Sequence, residues 1–115
     1  MHELSIALSL IEGAEEHMKR LGEPRVVAIH VKVGPLSGVV PDALLFAYGV
    51  ACEGTMLEGS RLAIEHSPVL IHCSHCDRAT APESLQSMSC SVCGHPPARV
   101  VQGEELEIVA LEVEE

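Results

Sequence analysis

Residues 73–93 read CSHCDRATAPESLQSMSCSVC, so two Cys-x-x-Cys turns enclose a polar segment of thirteen residues. Thiolates from two such turns can converge on the corners of one tetrahedron, which is the geometry of a structural zinc site. The surrounding stretch, 72–98, is polar with little periodicity and cannot bury enough surface to fold alone. We therefore predict that Zn(II) folds this part of the chain. The predicted ligands are Cys73, Cys76, Cys90 and Cys93.

A site of four sulfurs limits the chemistry available at the metal. Four cysteines fill the coordination sphere of zinc, so no position is left for a catalytic water. A redox dithiol is the competing interpretation, but it requires one reactive pair, usually at the start of a helix. Three histidines lie in the same segment: His72, His75 and His95. They could be solvated loop residues, hydrogen-bond donors to the thiolates, or groups whose titration alters the site. The sequence leaves these three roles open.

Length and composition restrict the class of protein. With 115 residues, 47% hydrophobic and 2% aromatic, the chain is one small domain or one domain with a metal-stapled insert. The net charge of −10 repels phosphate backbones, which disfavours nucleic-acid binding. No segment approaches the roughly 18 apolar residues of a membrane span, and no signal-peptide pattern opens the chain. We expect a cytoplasmic protein, where paired cysteines favour metal over disulfides.

Apolar periodicity outside the cysteine segment predicts two helices and three strands. We expect helices at about 3–20 and 42–53, and strands at 26–33, at 61–66 and after Gly103. Four side chains should face inward from the second helix: Leu44, Leu45, Tyr48 and Ala51. One face of the first strand should carry Val27, Ile29, Val31 and Val33. Two overlapping apolar sets in the last strand indicate a bulge or burial on both sides.

The order of these elements predicts the fold class. A strand–helix–strand unit with a crossover of about 27 residues usually gives parallel pairing with a right-handed connection. We expect an α+β fold, with a small mixed three-stranded sheet, two helices and an inserted four-cysteine, zinc-ribbon-like module. The corresponding domains are 1–68 with 104–115, and 69–103.

The first three residues, Met1-His2-Glu3, offer a second kind of metal site. The Met1 amine, the His2 amide nitrogen and the His2 ring can bind one ion in fused chelate rings, with the Glu3 amide or carboxylate as a fourth donor. Planar, nitrogen-rich ligation selects Ni(II) or Cu(II) over Zn(II). Taken alone, the tripeptide is weak evidence for a metal site, because a histidine near the start of a chain is usually just exposed. It falls short of the zincin H-E-x-x-H motif because position 6 is Ile.

Several segments together resemble the HypA/HybF family of hydrogenase nickel-incorporation proteins. They are the opening MHE, VKVGPLSGVVPDAL at 31–44, GTMLEGSRLAIE at 54–65, the two cysteine pairs and GEELEIVALEVEE at 103–115. The resemblance implies an α/β nickel-binding domain with a zinc domain inserted before the last strand. It also implies that His2 binds nickel, with the Met1 amine and the Glu3 backbone or side chain nearby, and that the four cysteines bind zinc.

The family function implied by the resemblance is to bind Ni(II) and pass it to the hydrogenase large-subunit precursor. A partner GTPase of the same maturation pathway assists, and some members serve urease. This chain departs from the family at Asp77 and Ser91, where members often have Gly after the second cysteine and Pro after the third. Gly94 after the fourth cysteine matches. These departures concern the rigidity of the turns and leave the number of ligands unchanged.

Three functions compete on the sequence. The leading hypothesis is a nickel metallochaperone, a binding protein rather than an enzyme, with Ni(II) as cargo and Zn(II) as structural metal. The alternative is a zinc-ribbon module for protein interaction or nucleic-acid binding, against which the acidity and the scarcity of aromatics argue. A zinc hydrolase or deaminase would need an open coordination position and a glutamate beside a ligand histidine. We expect no nucleic-acid or membrane partner, and both monomer and homodimer remain open.

Overall fold

The computed structural model describes residues 2–114, so Met1 and Glu115 lie outside the described residues. The chain forms the helices α1 (Glu3–Arg20) and α2 (Pro41–Cys52), and the strands β1 (Val26–Val33), β2 (Arg61–His66), β3 (Leu70–Cys73), β4 (Arg78–Thr80), β5 (Arg99–Gln102) and β6 (Leu106–Val113). Both predicted helices and all three predicted strands are present at the expected places. Among residues 2–114, no helix combines the length and apolar character that crossing a bilayer requires.

The first sheet contains the three predicted strands in the order β2-β1-β6. β1 runs parallel to β2, with α2 in the crossover, and antiparallel to β6. The sheet is therefore mixed, as the sequence predicts. Its main core is closed by the buried faces of both helices, and α1 contributes Ala7, Leu10, Ile11, Ala14 and Met18 at helical spacing.

Two irregularities change which side chains face this core. In β1 the pairing with β6 shifts between Val26 and Ala28. Val26 joins Ile29, Val31 and Val33 in the core, so the placement of Val27 on their shared face is wrong. In β6 the register skips Val109, so the residues packed on the core change from Leu106 and Ile108 to Leu111. The second irregularity is the bulge indicated by the two overlapping apolar sets.

The second helix has one buried side and one open side. Leu44 and Tyr48 are buried as expected, and the Tyr48 hydroxyl lies 2.6 Å from the Ser60 hydroxyl oxygen. The inward placement expected for Leu45 is wrong, because 42% of its surface is exposed. Leu45 is rotated about 100° from Leu44 around the helix axis, and a three-stranded sheet covers only one side of the helix.

The cysteine segment forms a second sheet of three short antiparallel strands in the order β4-β3-β5. The sequence indicated no regular structure there, and strands of three or four residues are too short to show a period. Three side chains form the small second core: Ile71, Cys73 and Cys90. Half-buried Met88 and Val100 pack against it.

A contact between two glycines joins the first sheet to the second. The Gly34 amide donates to the Glu105 carbonyl at 2.8 Å, and the Leu36 amide donates to the Gly103 carbonyl at 2.8 Å. A Cβ atom at Gly34 would lie 2.0 Å from the Gly103 carbonyl oxygen. The absence of a side chain at Gly34 is therefore what lets the two backbones touch.

Candidate metal sites

The structure brings the four paired cysteines together at one end of the second sheet. Their sulfurs all lie within 4.8 Å of one another, with 3.5 Å between Cys73 and Cys93 and 3.9 Å between Cys76 and Cys90. Sulfurs at about 2.3 Å from a tetrahedral zinc ion are about 3.8 Å apart. All four are free thiols rather than disulfides. The arrangement therefore fits one closed Zn(II) site of four thiolates.

Each of the two turns that carry the cysteines is followed by a residue with a left-handed backbone conformation. Gly94 has φ 74° after Cys93, and Asp77 has φ 53° after Cys76. Glycine adopts this conformation without strain, and aspartate is one of the few other residues that visits it. Asp77 thus keeps the turn in which family members often carry Gly. Ser91, where they often carry Pro, donates its amide to the Ala81 carbonyl at 3.1 Å, a bond that Pro would lack.

The thiols differ in their tendency to ionise. Thr80 is buried, and its hydroxyl donates to the Cys90 sulfur at 3.2 Å. This bond, together with the backbone amides of Cys93 and Val92, lowers the pKa of Cys90 to about 6. The thiol of Cys76 donates a hydrogen bond to the neighbouring sulfur of Cys93, and this raises the pKa of Cys76 to about 12 because the bond favours the protonated form. Four thiolates are therefore stable together only around a cation. Sequence reasoning missed Thr80, and its hydroxyl has no spacing signature.

Two of the three histidines of the cysteine segment contact each other. The rings of His75 and His95 are stacked with their centroids 5.6 Å apart, and His72 lies half-buried in β3. Within residues 2–114, the four cysteines are the single group of three or more His, Cys, Asp and Glu side chains whose ligand atoms converge. The donor set of this site is therefore sulfur alone, the soft set that suits zinc.

The second predicted site begins at His2, which is exposed and is the N-cap of α1. The first hydrogen bond of the helix runs from the Ile6 amide to the His2 carbonyl at 3.2 Å. The amides of His2 and Glu3 therefore have no acceptor within the helix. The His2 side chain makes no capping bond. The Met1 amine, which the sequence predicts as a donor, lies outside the described residues.

The Glu3 side chain connects this end of α1 to α2. Its Oε1 accepts a long hydrogen bond of 3.5 Å from the amide of Val40, the N-cap residue of α2. The side chain of Val40 cannot cap α2. In a capping box, a glutamate of the same helix accepts the hydrogen bond from the amide of the N-cap residue. Glu3 supplies that carboxylate from the neighbouring helix. Sequence reasoning missed Val40 because the contact spans 37 residues.

Comparisons with known proteins agree over the whole chain. A family described as "Hydrogenase/urease nickel incorporation, metallochaperone, hypA" matches residues 1–113. The hydrogenase maturation factor HypA of Roseiflexus sp. (strain RS-1) is 49% identical over 115 residues, covering 100% of this chain and 94% of the relative. The same factor of Geobacter metallireducens is 43% identical over 114 residues, covering 99% of this chain and 100% of the relative.

Solved structures agree with the sequence relatives. The solution structure of the Ni metallochaperone HypA from Helicobacter pylori has a TM-score of 0.70 and 26% identity, covering 98% of this chain and 97% of that chain. A second solution structure of HypA has a TM-score of 0.74 and 26% identity, covering 99% and 97%. The match to the family includes both helices, both sheets and both cysteine pairs. The chain therefore belongs to the HypA family of metallochaperones for nickel incorporation into hydrogenase and urease.

Proposed function

We propose that this nickel metallochaperone of hydrogenase maturation carries Ni(II) on its first three residues and keeps Zn(II) in the four-cysteine site. Family membership gives the role in hydrogenase maturation, which is binding and delivery rather than catalysis. The observation that carries the proposed nickel site is the exposed His2 imidazole beside amide nitrogens that the helix leaves without acceptors. Nickel is cargo at this site, whereas zinc is a resident structural metal.

The proposed nickel donors are four nitrogens. They are the amine of Met1, the amide of His2, the ring of His2 and the amide of Glu3. We choose the Glu3 amide over its carboxylate because the carboxylate already contacts the Val40 amide. Such a planar nitrogen set favours Ni(II) over Zn(II), while the sulfur set favours zinc, so the two metals are sorted by donor chemistry.

The position of the site also suits release. A chaperone has to hold nickel and then give it up, and ligand exchange is stepwise when few surrounding groups fix the donors. The His2 side chain has no capping bond, so the proposed donors are restrained mainly by the Ile6–His2 backbone bond and the Glu3–Val40 contact. The four-cysteine site has the opposite character, since two of its ligands, Cys73 and Cys90, are fully buried.

The proposed division of labour follows two domains. We assign 1–68 with 104–115 to nickel binding and 69–103 to zinc binding. The separation of the hydrophobic residues into one large and one small core supports this division. The Gly34–Gly103 contact lies at its boundary.

Hydrogenase maturation implies partner proteins of that process. The partners we propose are the maturation GTPase of the pathway and the precursor of the hydrogenase large subunit, with urease accessory proteins as a further recipient class. We place the protein in the cytoplasm, where thiols stay reduced and available to zinc. Its net charge of −10 suits protein partners rather than nucleic acid.

Calorimetric titration of nickel into the zinc-loaded chain tests the proposed site. His2→Ala should weaken nickel binding by about 100-fold or more, since it removes one of four donors and opens the chelate rings. His17→Ala is the matched control, because His17 lies on the same helix about 22 Å further along the axis. Zinc content and circular dichroism should not change in either variant. Undiminished nickel affinity in His2→Ala would refute the proposed site.

A further inference from the structure

The second helix is apolar around its whole circumference. Its sequence, PDALLFAYGVAC, contains one charged residue, Asp42, which stands in the first turn. A helix of this composition is normally buried on all sides. Here one side packs on the main core and the other is open to solvent. The composition therefore indicates that something covers the open side when the protein works.

We define the open side as the α2 face, formed by Leu45, Phe46, Gly49 and Val50. Phe46 is the single phenylalanine of the chain and is 77% exposed, and Val50 one turn later is 47% exposed. A Cβ atom at Gly49 would meet nothing within 4 Å, so another backbone can approach closely at the centre of the face. An exposed aromatic beside a shallow, flat centre is typical of a protein-docking surface.

The first helix extends this surface. Ile6 and Leu10 line the cleft between α1 and Leu106 of β6, so they mark the side of α1 that faces away from α2. Leu4 and Leu8 lie on the other side of α1 and are half exposed. Because α1 and α2 pack against each other, we infer that these leucines lie on the side of α1 towards α2.

Charge selects the partner. Asp42 lies at one end of the α2 face and Glu53 follows the other, about 16 Å away along the axis, and no basic residue lies between them. We propose that the α2 face docks a partner protein that presents an apolar groove bordered by lysine or arginine. Such a groove would match both the apolar centre and the acidic ends of the face.

The same charges disfavour a second copy of this chain as the occupant. In an antiparallel pairing of two α2 faces, Asp42 of each copy would meet Glu53 of the other. In a parallel pairing, each carboxylate would meet its own equivalent. Both arrangements bring like charges together at an interface, which costs free energy.

Docking at this face would bring the partner close to the proposed nickel donors. The Val40 amide at the start of α2 contacts the Glu3 carboxylate, so a protein on the α2 face would lie beside the first turn of α1. This consequence rests on the proposed nickel site, whereas the docking surface itself does not depend on His2. The α2 face is thus the surface through which nickel would be handed over.

Binding measurements with the purified maturation GTPase and the purified large-subunit precursor test the proposal. Phe46→Ser removes the apolar centre and Glu53→Lys reverses the charge at one end, and each should weaken binding to at least one partner by about tenfold or more. The matched controls are Leu21→Ser, an equally apolar exposed residue at the far end of α1, and Glu83→Lys, an exposed carboxylate in the cysteine segment. Both controls should bind as the wild-type chain does. Affinity of the wild type should fall as NaCl is raised, because charges contribute at the ends of the face.

Three results would overturn the proposal. The first is that neither partner binds the wild-type chain. The second is that a partner binds but neither Phe46→Ser nor Glu53→Lys weakens its binding. The third is that the wild-type chain sediments as a dimer and Phe46→Ser converts it to monomers. Nickel titration of the same proteins separates this proposal from the proposed nickel site. Phe46→Ser should bind nickel normally, and His2→Ala should still dock. If His2→Ala retains nickel while Phe46→Ser loses its partner, the nickel site fails and the docking surface stands.

Discussion

At Cys90, one hydroxyl group helps to set the charge of a metal ligand. The buried Thr80 side chain donates to the Cys90 sulfur at 3.2 Å and, with the backbone amides of Cys93 and Val92, lowers the pKa of this thiol to about 6 from the ordinary value of 9.0. At neutral pH the sulfur is therefore mainly a thiolate, which is the form that binds zinc. Metal binding at this ligand competes with protons only when the pH falls towards about 6.

Thr80→Val should weaken zinc binding, and zinc should be released at a higher pH as the solution is acidified. Valine keeps the shape of the side chain but cannot donate, so the pKa of Cys90 should rise and protons should compete earlier as the pH falls. Loss of a hydrogen bond to a metal ligand typically lowers affinity by about 10 to 100-fold. A chelator competition followed from about pH 8 down to about pH 5 measures both effects. Ser74→Ala, an exposed hydroxyl in the first turn, should have no effect. The same release pH in Thr80→Val and wild type would contradict this account.

The residues that the sequence could predict are those with a spacing rule. Two Cys-x-x-Cys turns lie close in sequence, so their convergence follows from local geometry. Thr80 acts on Cys90 through the folding of β4 beside β3, and several hydroxyl residues between the cysteine pairs are equivalent in the sequence alone. Likewise, the contact of Glu3 with Val40 exists only after α1 and α2 have packed.

Among the elements, the junction between the two sheets leaves the least space for a side chain. Gly34 follows β1 directly, and its Cα faces the carbonyl of Gly103, which precedes β6. A side chain on either glycine would meet atoms at less than 3.0 Å. The loops cannot move apart freely, because the Gly34 and Leu36 amides are both bonded across the junction.

Gly34→Ala should therefore destabilise the protein strongly. The added Cβ would lie 2.0 Å from a backbone oxygen, and relief requires the two loops to separate. We expect a loss of about 3 kcal/mol or more in the free energy of unfolding of the zinc-loaded chain, measured with denaturant. Gly49→Ala is the opposite control, since its Cβ meets nothing within 4 Å and alanine in a helix gains about 0.5–1 kcal/mol over glycine. Equal stability of Gly34→Ala and wild type would show that the junction is not close-packed.

Element prediction succeeded where a period is long enough to read. α1, β1, α2, β2 and β6 each have six or more residues, and their bounds follow the sequence closely. The strands β3, β4 and β5 have three or four residues and alternate too briefly to be recognised. Leu45 was misplaced because α2 is apolar on all sides, so its sequence does not indicate which side faces the core.

The whole molecule divides its hydrophobic residues unequally. Within residues 2–114, the main core has sixteen buried residues, whereas the second core has three, of which two are the cysteines Cys73 and Cys90. A core this small cannot offset the entropy of ordering its segment, so metal binding has to supply the difference. The first sheet has no such need.

Cys73→Ala should release zinc and unfold residues 70–102 while the first sheet persists. Hydrogen exchange measures this directly, because amides of β3, β4 and β5 should exchange rapidly and those of β1 should stay protected. Cys52→Ala is the control, since Cys52 is buried in the main core and lies outside the sulfur cluster. That variant should retain zinc and the slow exchange of β3. If β1 loses protection together with β3 in Cys73→Ala, the two-domain division is wrong.

The central claim is that nickel binds at the first three residues, apart from the sulfur site. The most direct measurement compares nickel titrations of two zinc-loaded chains that differ only by an acetyl group on the Met1 amine. Acetylation removes one nitrogen donor and leaves every side chain in place. The account predicts that nickel affinity falls by about 100-fold or more while zinc content is unchanged. Equal nickel affinity in the two chains would contradict it.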